Sequence, residues 1–486
     1  MKNELEQKNN LVAIGALAIF YFVFLGGEYL FDNMIAYYLS SAKVVVAQSG
    51  ILGISGIGFL CYFQIQRFIT SKNRSGALMG AVALGIVCIF MVQQHVSFAG
   101  TLSTGLILFL LLGIFLGLPL FNRGKISKEK MREISYSQST NIFKGRYVKN
   151  QAFSGKYVPF FGSSELSRLD ALHPSILAEK YHRNYQPFLL GNAGSQSLAH
   201  FYSMQPVNSA LHGKKAVFII SPQWFVKDGT DDEAFSLYYS NLEGVNWILN
   251  SKDSRATRYA ASRLLAMPTG SSDKLMEMAL KKKEKGKPLG KLLRMYLQYQ
   301  RNVLENEDHL FSMFKLNDRT QKVDRAMKKL PERYSVGKLD AVATKLGENA
   351  TGNNPFDVSK KFWNKRLKGN YKKLKGKQAD YDYTQSPEFA DFQLVLQQFK
   401  DNNMDVMFII PPVNRKWMEY TGLSQEMLDR FDKKIIYQLQ SQGFNNICDM
   451  TNVRVRTVLH AGYDSPWLAR MACGRYLYQS VYGLRI

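Results

Sequence analysis

The chain has 486 residues, of which 63 are lysine or arginine and 39 are aspartate or glutamate, so its formal net charge is +24. An excess of this size indicates a polyanion or an anionic membrane surface as partner, although cations that flank membrane segments and solvated helix faces also contribute to it. Only four cysteines are present, without a CxxC pair or a His/Cys cluster, which argues against a disulfide framework and a structural metal. Cys61 and Cys88 lie inside apolar runs, while a bridge between Cys448 and Cys473 stays open.

The first 121 residues are far more apolar than the rest. They contain four runs with almost no charge, namely Leu11–Phe31, Val44–Ile65, Ala77–Val96 and Leu102–Phe121. Each run is near the roughly 20 residues that cross a bilayer. We predict three or four transmembrane helices. A cleaved signal peptide is not expected, because the apolar region is too long and repeats.

Cations in two loops bear on the topology of these helices. They follow the second run at Arg67, Lys72 and Arg74, and the fourth run at Arg123, Lys125, Lys128 and Lys130. The positive-inside rule places both segments in the cytoplasm. Four crossings from a cytoplasmic N-terminus would then leave the large domain inside the cell. If one run is not a span, the domain lies outside.

From Ile126 onward the chain is polar, and short apolar runs recur between helical patterns. The runs typical of strands are Val158–Phe161, Phe188–Leu190, Ala216–Ile220 and Val406–Ile410. This alternation predicts an α/β domain with a parallel sheet. Ligands of such sheets bind beyond the carboxyl ends of the strands.

Each of these runs ends in a polar turn. The turns are Gly162–Ser164, Gly191–Gln196, Ser221–Trp224 and Pro411–Asn414. A serine that follows a strand and a glycine is presented as a nucleophile is, and the alternative is that these serines only cap the next helix. Four polar turns at one edge of a sheet indicate a ligand site more strongly than any one of them.

The segment 228–383 departs from the strand–helix alternation and reads as a helical insertion. Within it, 274–294 has the sequence KLMEMALKKKEKGKPLGKLLR. Such a basic stretch predicts a surface for an acidic polymer or for lipid headgroups. The alternative, that its lysines form a solvated helix face, stays open.

A serine nucleophile needs a base to accept its proton. Seven histidines are available, at positions 95, 173, 182, 200, 212, 309 and 460. His460 is the best placed, because it follows the last strand-like run in a loop that can fold back over the sheet. A catalytic histidine normally has a carboxylate partner, and the residue three positions before it, Thr457, cannot serve.

Four strings together resemble the DltD family of membrane-anchored proteins, which belong to the pathway that esterifies teichoic acids with D-alanine in Gram-positive bacteria. The strings are YVPFFGSSELSRLD, FLLGNAGSQSL, VFIISPQWF and FIIPPVNRKW, and the resemblance covers about Ser135 to Asp449. It implies an SGNH-hydrolase-like three-layer α/β/α domain, and we expect no cofactor and no metal. Together with the apolar runs, it gives the predicted domain organisation: a membrane region at 1–121 with three or four transmembrane helices, a linker at 122–150 and the α/β domain at 151–486 with its insertion at about 228–383.

The resemblance also implies roles for individual residues. Ser164 matches the family's nucleophile, and the N–H groups of Ser164 and Gly194 match its oxyanion donors. Gln223 stands where other SGNH enzymes have an asparagine, and its amide can donate there too. Further residues expected at the same edge of the sheet are Ser163, Glu165, Asn192, Trp224 and Asn414.

Two parts of the chain depart from the family. Its last motif, D-x-x-H, has Thr457 in place of the aspartate before His460, and the tail diverges after Met450. We favour an altered reading frame or a decayed gene end, which would leave a Ser–His dyad or no activity; the alternative is that Asp464 reaches the histidine. Family members have one N-terminal anchor, matched only by 102–121, so residues 1–100 are extra. The same precedent places the domain on the extracellular face, against the count of positive charges.

Three functions follow as hypotheses. The first is transfer of D-alanyl groups to teichoic acid through Ser164 with His460 as base, the basic surface holding the polymer. The second is a non-catalytic membrane partner that positions a membrane-bound O-acyltransferase or a D-alanyl carrier protein, which Thr457 favours. The third is a thioesterase that clears mischarged carrier protein. None involves a nucleic acid.

Overall fold

The structure is a computed structural model that describes residues 124–451, except Arg168, Ser271 and Lys315. All of these residues belong to one unit of the chain, Phe121–Ile486. The predicted membrane helices of 1–121 and the tail with Thr457, His460, Asp464 and Cys473 lie outside them. Within the described part, no helix has the length and apolar character needed to span a membrane.

A parallel five-stranded sheet lies at the centre of the domain. Its strands are β1 (Tyr157–Phe161), β2 (Gln186–Leu190), β3 (Lys215–Ile219), β4 (Asp405–Ile410) and β5 (Ile447–Asp449), in the spatial order β2-β1-β3-β4-β5. The predicted α/β class, the parallel sheet and the four predicted strands are confirmed. The sequence analysis missed β5, which has three residues.

Helices cover both faces of this sheet. In chain order they are α1 (Lys128–Ser137), α2 (Thr140–Lys144), α3 (Tyr147–Phe153), α4 (Pro174–Lys180), α5 (Ser197–Met204), α6 (Asn208–Leu211), α7 (Asp232–Tyr238), α8 (Asn241–Asn250), α9 (Arg255–Leu265), α10 (Lys274–Glu284), α11 (Lys291–Phe311), α12 (Thr320–Met327), α13 (Val336–Ala350), α14 (Lys360–Phe362), α15 (Glu388–Asp401), α16 (Arg415–Thr421) and α17 (Gln425–Gln440). Short 3-10 turns follow β1 at Ser164–Ser167 and β3 at Pro222–Trp224.

Alternate residues of the strands enter two separate apolar cores. Phe161 and Phe218 pack in one core with α5, α8, α9, α11, α15 and α17. Phe160 and Val217 pack in the other with α4, α12 and α13. Because both faces are buried, the strands read as continuous apolar runs rather than alternating ones. The arrangement fits a three-layer α/β/α fold.

The long connection between β3 and β4 contains the segment that the sequence analysis interprets as a helical insertion. Its described residues form helices and turns, from α7 to the turn at Tyr371–Leu374, and no strand. A small aromatic core around Phe356, Trp363 and Trp417 joins the end of this connection to α16. This end of the connection is thereby held against α16.

Candidate active site

The turns that follow β1 and β2 approach each other closely at the carboxyl edge of the sheet. The Gly162 N–H donates to the Leu190 carbonyl at 3.1 Å. Gly191 has a φ of 128°, and a Cβ there would lie 1.9 Å from the Gly162 oxygen. Only glycine fits a position that combines positive φ with so close a neighbouring backbone. Steric constraints therefore explain why the turn after β2 has a glycine at position 191.

The Gly162 carbonyl accepts hydrogen bonds from two buried side chains. Ser195 Oγ donates to it at 2.8 Å and His200 Nε2 lies 3.0 Å from it. Because a carbonyl only accepts, the contact assigns the proton of the ring to Nε2. Burial lowers the pKa of His200 to about 3, so the ring is neutral. His200 supports the end of β1 from behind.

The two adjacent serines after β1 have different surroundings. Ser163 is 4% exposed, its hydroxyl donates to the Asn192 carbonyl at 3.1 Å, and its N–H donates to Glu165 Oε1. Ser164 begins the 3-10 turn and is half-buried, and its hydroxyl has no hydrogen-bond partner among the described residues. Ser164 is therefore the serine whose hydroxyl is available to a ligand.

Candidate oxyanion donors lie in the neighbouring turns. Within residues 124–451, no acceptor is found for the N–H groups of Ser164 and Gly194. The turn that holds Gly194 is fixed by Tyr238, whose hydroxyl donates to the Ala193 carbonyl at 2.8 Å. Gln223 is exposed in the 3-10 turn after β3. Since β2, β1 and β3 are neighbours in a parallel sheet, their turns lie side by side.

Three other residues expected at this edge form contacts that hold the turns. Asn192 Oδ1 accepts from the Ala193 N–H at 2.8 Å and from Ser167 Oγ at 2.9 Å. Trp224 is 3% exposed, with its ring 6.2 Å from that of His200. Asn414 caps α16, because its Oδ1 accepts from the Trp417 N–H at 2.8 Å.

A chain of polar contacts that the sequence analysis missed supports both turns. Arg319 donates to Gln138 Oε1 at 2.7 Å and also to the Ser167 carbonyl. Gln138 Nε2 in turn donates to the Gly191 carbonyl at 2.8 Å. Arg319 lies in the β3–β4 connection and Gln138 follows α1, so no local motif signals their meeting.

Glu388 is a second residue that the sequence analysis missed. Its Oε1 accepts the Ser197 N–H at 2.9 Å, at the first residue of α5. Complete burial, together with the nearby Asp391 charge, raises the pKa of Glu388 to about 8. This carboxyl group therefore holds the start of the helix that follows the Gly194 turn.

The described histidines do not supply an obvious base. His173 is buried, and its Nδ1 accepts the Ser175 N–H at 3.2 Å as the cap of α4. His200 is occupied by the Gly162 carbonyl. The predicted base, His460, lies outside the described residues. In the described part of the chain, no His, Cys, Asp and Glu side chains cluster as metal ligands, and Cys448 is a buried free thiol.

A cavity of about 1050 Å³ lies elsewhere in the domain. Tyr157 and Gln186, the first residues of β1 and β2, line it together with Arg146 and Asp308. It is thus at the amino edge of the sheet, opposite to Ser164, and is separate from the candidate site.

A family model described as DltD protein matches residues 135–457. The chain belongs to the DltD family. It is 44% identical to Protein DltD of Lacticaseibacillus rhamnosus over 71% of this chain and 82% of that protein. It is 32% identical to Protein DltD of Bacillus subtilis (strain 168), over 66% and 81% of the two chains, and 28% identical to that of Staphylococcus aureus (strain NCTC 8325 / PS 47), over 70% and 85%.

The resemblance to the DltD family inferred from the four strings is confirmed. Ser164, Gly194 and Gln223 all lie within the region that matches the DltD model. The match ends at Thr457, so His460 lies three residues beyond it. The predicted nucleophile therefore lies within the region that matches the DltD model, and the predicted base lies outside it.

Proposed function

We propose that this protein acts in the D-alanylation of teichoic acids as an SGNH-hydrolase-like acyltransferase with Ser164 as nucleophile. The main support for the proposal is the environment of the Ser164 hydroxyl. Its hydroxyl is accessible and unengaged within the described residues, at the carboxyl edge of the sheet beside two N–H groups that have no acceptor there. A nucleophile with adjacent oxyanion donors is the arrangement that acyl transfer needs.

In the proposed reaction, Ser164 Oγ attacks the carbonyl carbon of an activated D-alanyl ester or thioester and gives its proton to the base. The negative charge that forms on the carbonyl oxygen is stabilised by the N–H groups of Ser164 and Gly194 and by the Gln223 amide. The leaving group departs with the proton, and a D-alanyl ester forms on Ser164. A teichoic acid hydroxyl then attacks this ester, and the serine regains its proton.

His460 is the proposed base. Between Ser164 and the end of β5 lie the carboxyl ends of β3 and β4, and with neighbouring strands about 4.8 Å apart the distance across them is roughly 14 Å. The eleven residues that follow Asp449, up to His460, can extend over about 36 Å. The chain is therefore long enough for the imidazole to reach Ser164.

Thr457 favours a second candidate, a non-catalytic partner that positions a membrane-bound O-acyltransferase or a D-alanyl carrier protein. The loss of the family's aspartate would leave the imidazole without a group that fixes its tautomer. A thioesterase that acts on mischarged carrier protein would use the same residues from the cytoplasmic side. We place the domain on the extracellular face, and protease treatment of intact cells tests this, since an outside domain would be cleaved.

The test of the nucleophile compares two neighbouring serines. The full chain is treated with a fluorescent fluorophosphonate, which reacts with activated serines. We expect labelling of the wild type and of Ser163→Ala, and loss of at least about 100-fold in labelling rate for Ser164→Ala, because of these two serines only Ser164 has a hydroxyl without a hydrogen-bond partner among the described residues. Equal labelling of wild type and Ser164→Ala, or no labelling of a folded wild type, would reject the enzyme and support the non-catalytic partner.

A further inference from the structure

The long helix α11 has a second apolar stripe, in addition to the one that it buries. Leu293, Leu297 and Leu304 face the core. Leu292, Met295 and Tyr296, by contrast, are 82%, 54% and 36% exposed. Residues at positions i, i+3 and i+4 lie on one side of a helix. These three side chains therefore form a single apolar stripe towards solvent, which is unusual for a surface helix.

Helix α10 adds to this apolar surface. Leu275 and Met278, one turn apart, are 37% and 41% exposed. The start of α10 lies next to the stripe on α11, because Gln300 Nε2 donates to Asp273 Oδ2 at 3.4 Å. Burial and then the Asp273 charge raise the pKa of Tyr296, which shows the same proximity. We name α10 and α11, from Lys274 to Phe311, the basic hairpin.

Cations surround the exposed apolar side chains of the basic hairpin. Residues 274–294 include eight lysines and arginines and only two glutamates. Two of the lysines have partners: Lys281 pairs with Glu277 at 2.6 Å, and Lys283 donates to the Ser251 carbonyl at 2.6 Å. Five more are exposed and make no ion pair with a described residue: Lys274, Lys285, Lys287, Lys291 and Arg294. The charge of this surface is thus largely uncompensated.

We propose that the basic hairpin is a docking surface for an anionic lipid bilayer. A surface that combines exposed aliphatic and aromatic side chains with unpaired cations matches the interface of such a bilayer, which offers an apolar layer beneath a negative headgroup layer. A soluble phosphate polymer supplies the negative charge but no apolar phase for Leu292 and Met295. The proposal is independent of the chemistry assigned to Ser164.

The test measures the surroundings of position 292 in the full chain. The protein is placed in lipid nanodiscs, with its four cysteines replaced by serine or, at Cys448, by alanine. Leu292→Cys carries an environment-sensitive NBD label, and Tyr437→Cys on α17, 73% exposed in the wild type, is the matched control. In phosphatidylglycerol discs we expect a blue shift and several-fold stronger quenching by spin-labelled lipid at 292 than at 437. Equal quenching at the two positions would overturn the proposal.

Two further arms separate the possible sources of negative charge. Lys285, Lys287 and Lys291 are replaced together by Gln, and the difference in lipid quenching of the label at 292 between phosphatidylglycerol and phosphatidylcholine discs should fall at least threefold, while the midpoint of urea unfolding stays that of the wild type. An unchanged lipid dependence would contradict the role of these cations.

The second arm adds poly(glycerol phosphate) to the protein in phosphatidylcholine discs. If the polymer shifts the NBD emission at 292 as strongly as phosphatidylglycerol does, the surface is a polymer site and the lipid proposal is wrong.

Discussion

His200 shows how a residue without contact to a ligand can still position the candidate nucleophile. It is completely buried, its Nε2 faces the Gly162 carbonyl, and Gly162 directly precedes the two serines. The ring also packs against Phe161 and Phe218. The imidazole thus fills the apolar space behind the end of β1. It also gives the Gly162 carbonyl a second hydrogen bond, in addition to the one from Ser195.

The burial of this histidine predicts a pH dependence of stability. Because the pKa of His200 is lowered to about 3, the unfolded chain takes up a proton below pH ~6.5 that the folded chain does not. The contribution of the neutral His200 side chain to the free energy of unfolding is thus fully present above pH ~6.5. It is lost at about 1.4 kcal/mol per pH unit as the pH falls towards 3. His200→Gln keeps a donor for Gly162 but does not titrate. The stability difference between wild type and variant, from urea unfolding at pH 7 and pH 4.5, should shift in favour of the variant at the lower pH. A difference that is the same at both pH values would contradict the prediction.

At this scale the sequence alone identifies the candidate nucleophile but not its supports. The serine pair is marked by the strand and the glycine before it, and the structure then distinguishes Ser164 from Ser163 by burial. Gln138 and Gly191 are 53 positions apart, Arg319 and Gln138 are 181 apart, and Glu388 and Ser197 are 191 apart. Contacts over such separations depend on the complete fold, which no local pattern encodes.

At the scale of elements, the turns after β1 and β2 behave as one unit. Gly162 donates to Leu190, Ser163 to Asn192 and Ser195 to Gly162. The candidate nucleophile and the candidate oxyanion donor Gly194 are therefore fixed relative to each other before a ligand binds. Preorganised donors of this kind are what makes electrostatic stabilisation effective.

The close approach of these two turns predicts a large cost for a single methyl group. Gly191→Ala would place Cβ 1.9 Å from the Gly162 oxygen, so we expect a loss of at least about 3 kcal/mol from overpacking and backbone strain. Gly213→Ala is the matched control, since its φ is also positive, at 66°, but nothing lies within 4 Å of the added Cβ. That change should cost about 1–2 kcal/mol. Urea unfolding of both variants checks this, and equal losses would show that the contact is not limiting.

Strands β1 to β4 could be predicted from the sequence, whereas β5 could not, and the difference has a physical reason. Parallel strands covered on both faces are continuous apolar runs, as in β4, where Val406–Ile410 are all buried. The short β5 reads Ile-Cys-Asp and has one buried residue, Cys448. Three residues with an acidic end do not form a recognisable pattern, and only pairing with β4 makes them a strand.

At the scale of the whole molecule, a buried ion pair joins the helical insertion at 228–383 to α15, which packs in the core on one face of the sheet. Arg263 of α9 contacts Asp391 of α15 at 2.8 Å, and the Asp391 side chain is 0% exposed. Tyr259 donates to the same carboxylate at 2.8 Å. A carboxylate that is removed from water so completely is stabilised only by its partners, so the loss of one of them destabilises the fold.

This contact predicts that the helical insertion loosens from α15 when the pair is broken. Asp391→Asn removes one charge and leaves Arg263 uncompensated, which should cost roughly 3–5 kcal/mol. Asp253→Asn is the control, because its pair with Arg258 has similar geometry, at 2.7 Å, but is exposed, so it should change little. The measurement is the thermal midpoint of unfolding together with the rate of trypsin cleavage in 252–294. Similar shifts for both variants would contradict the prediction.

The position of β5 has a consequence for the order in which parts of the molecule unfold on heating. This strand is at the edge of the sheet and has three residue pairs with β4, so it belongs to the parts of a fold that open locally at low free energy. Any group that approaches Ser164 from beyond Thr451 is connected to the sheet through it. The base proposed above, His460, would therefore be held less firmly than Ser164 on the β1 turn, and warming would separate the two before the domain melts.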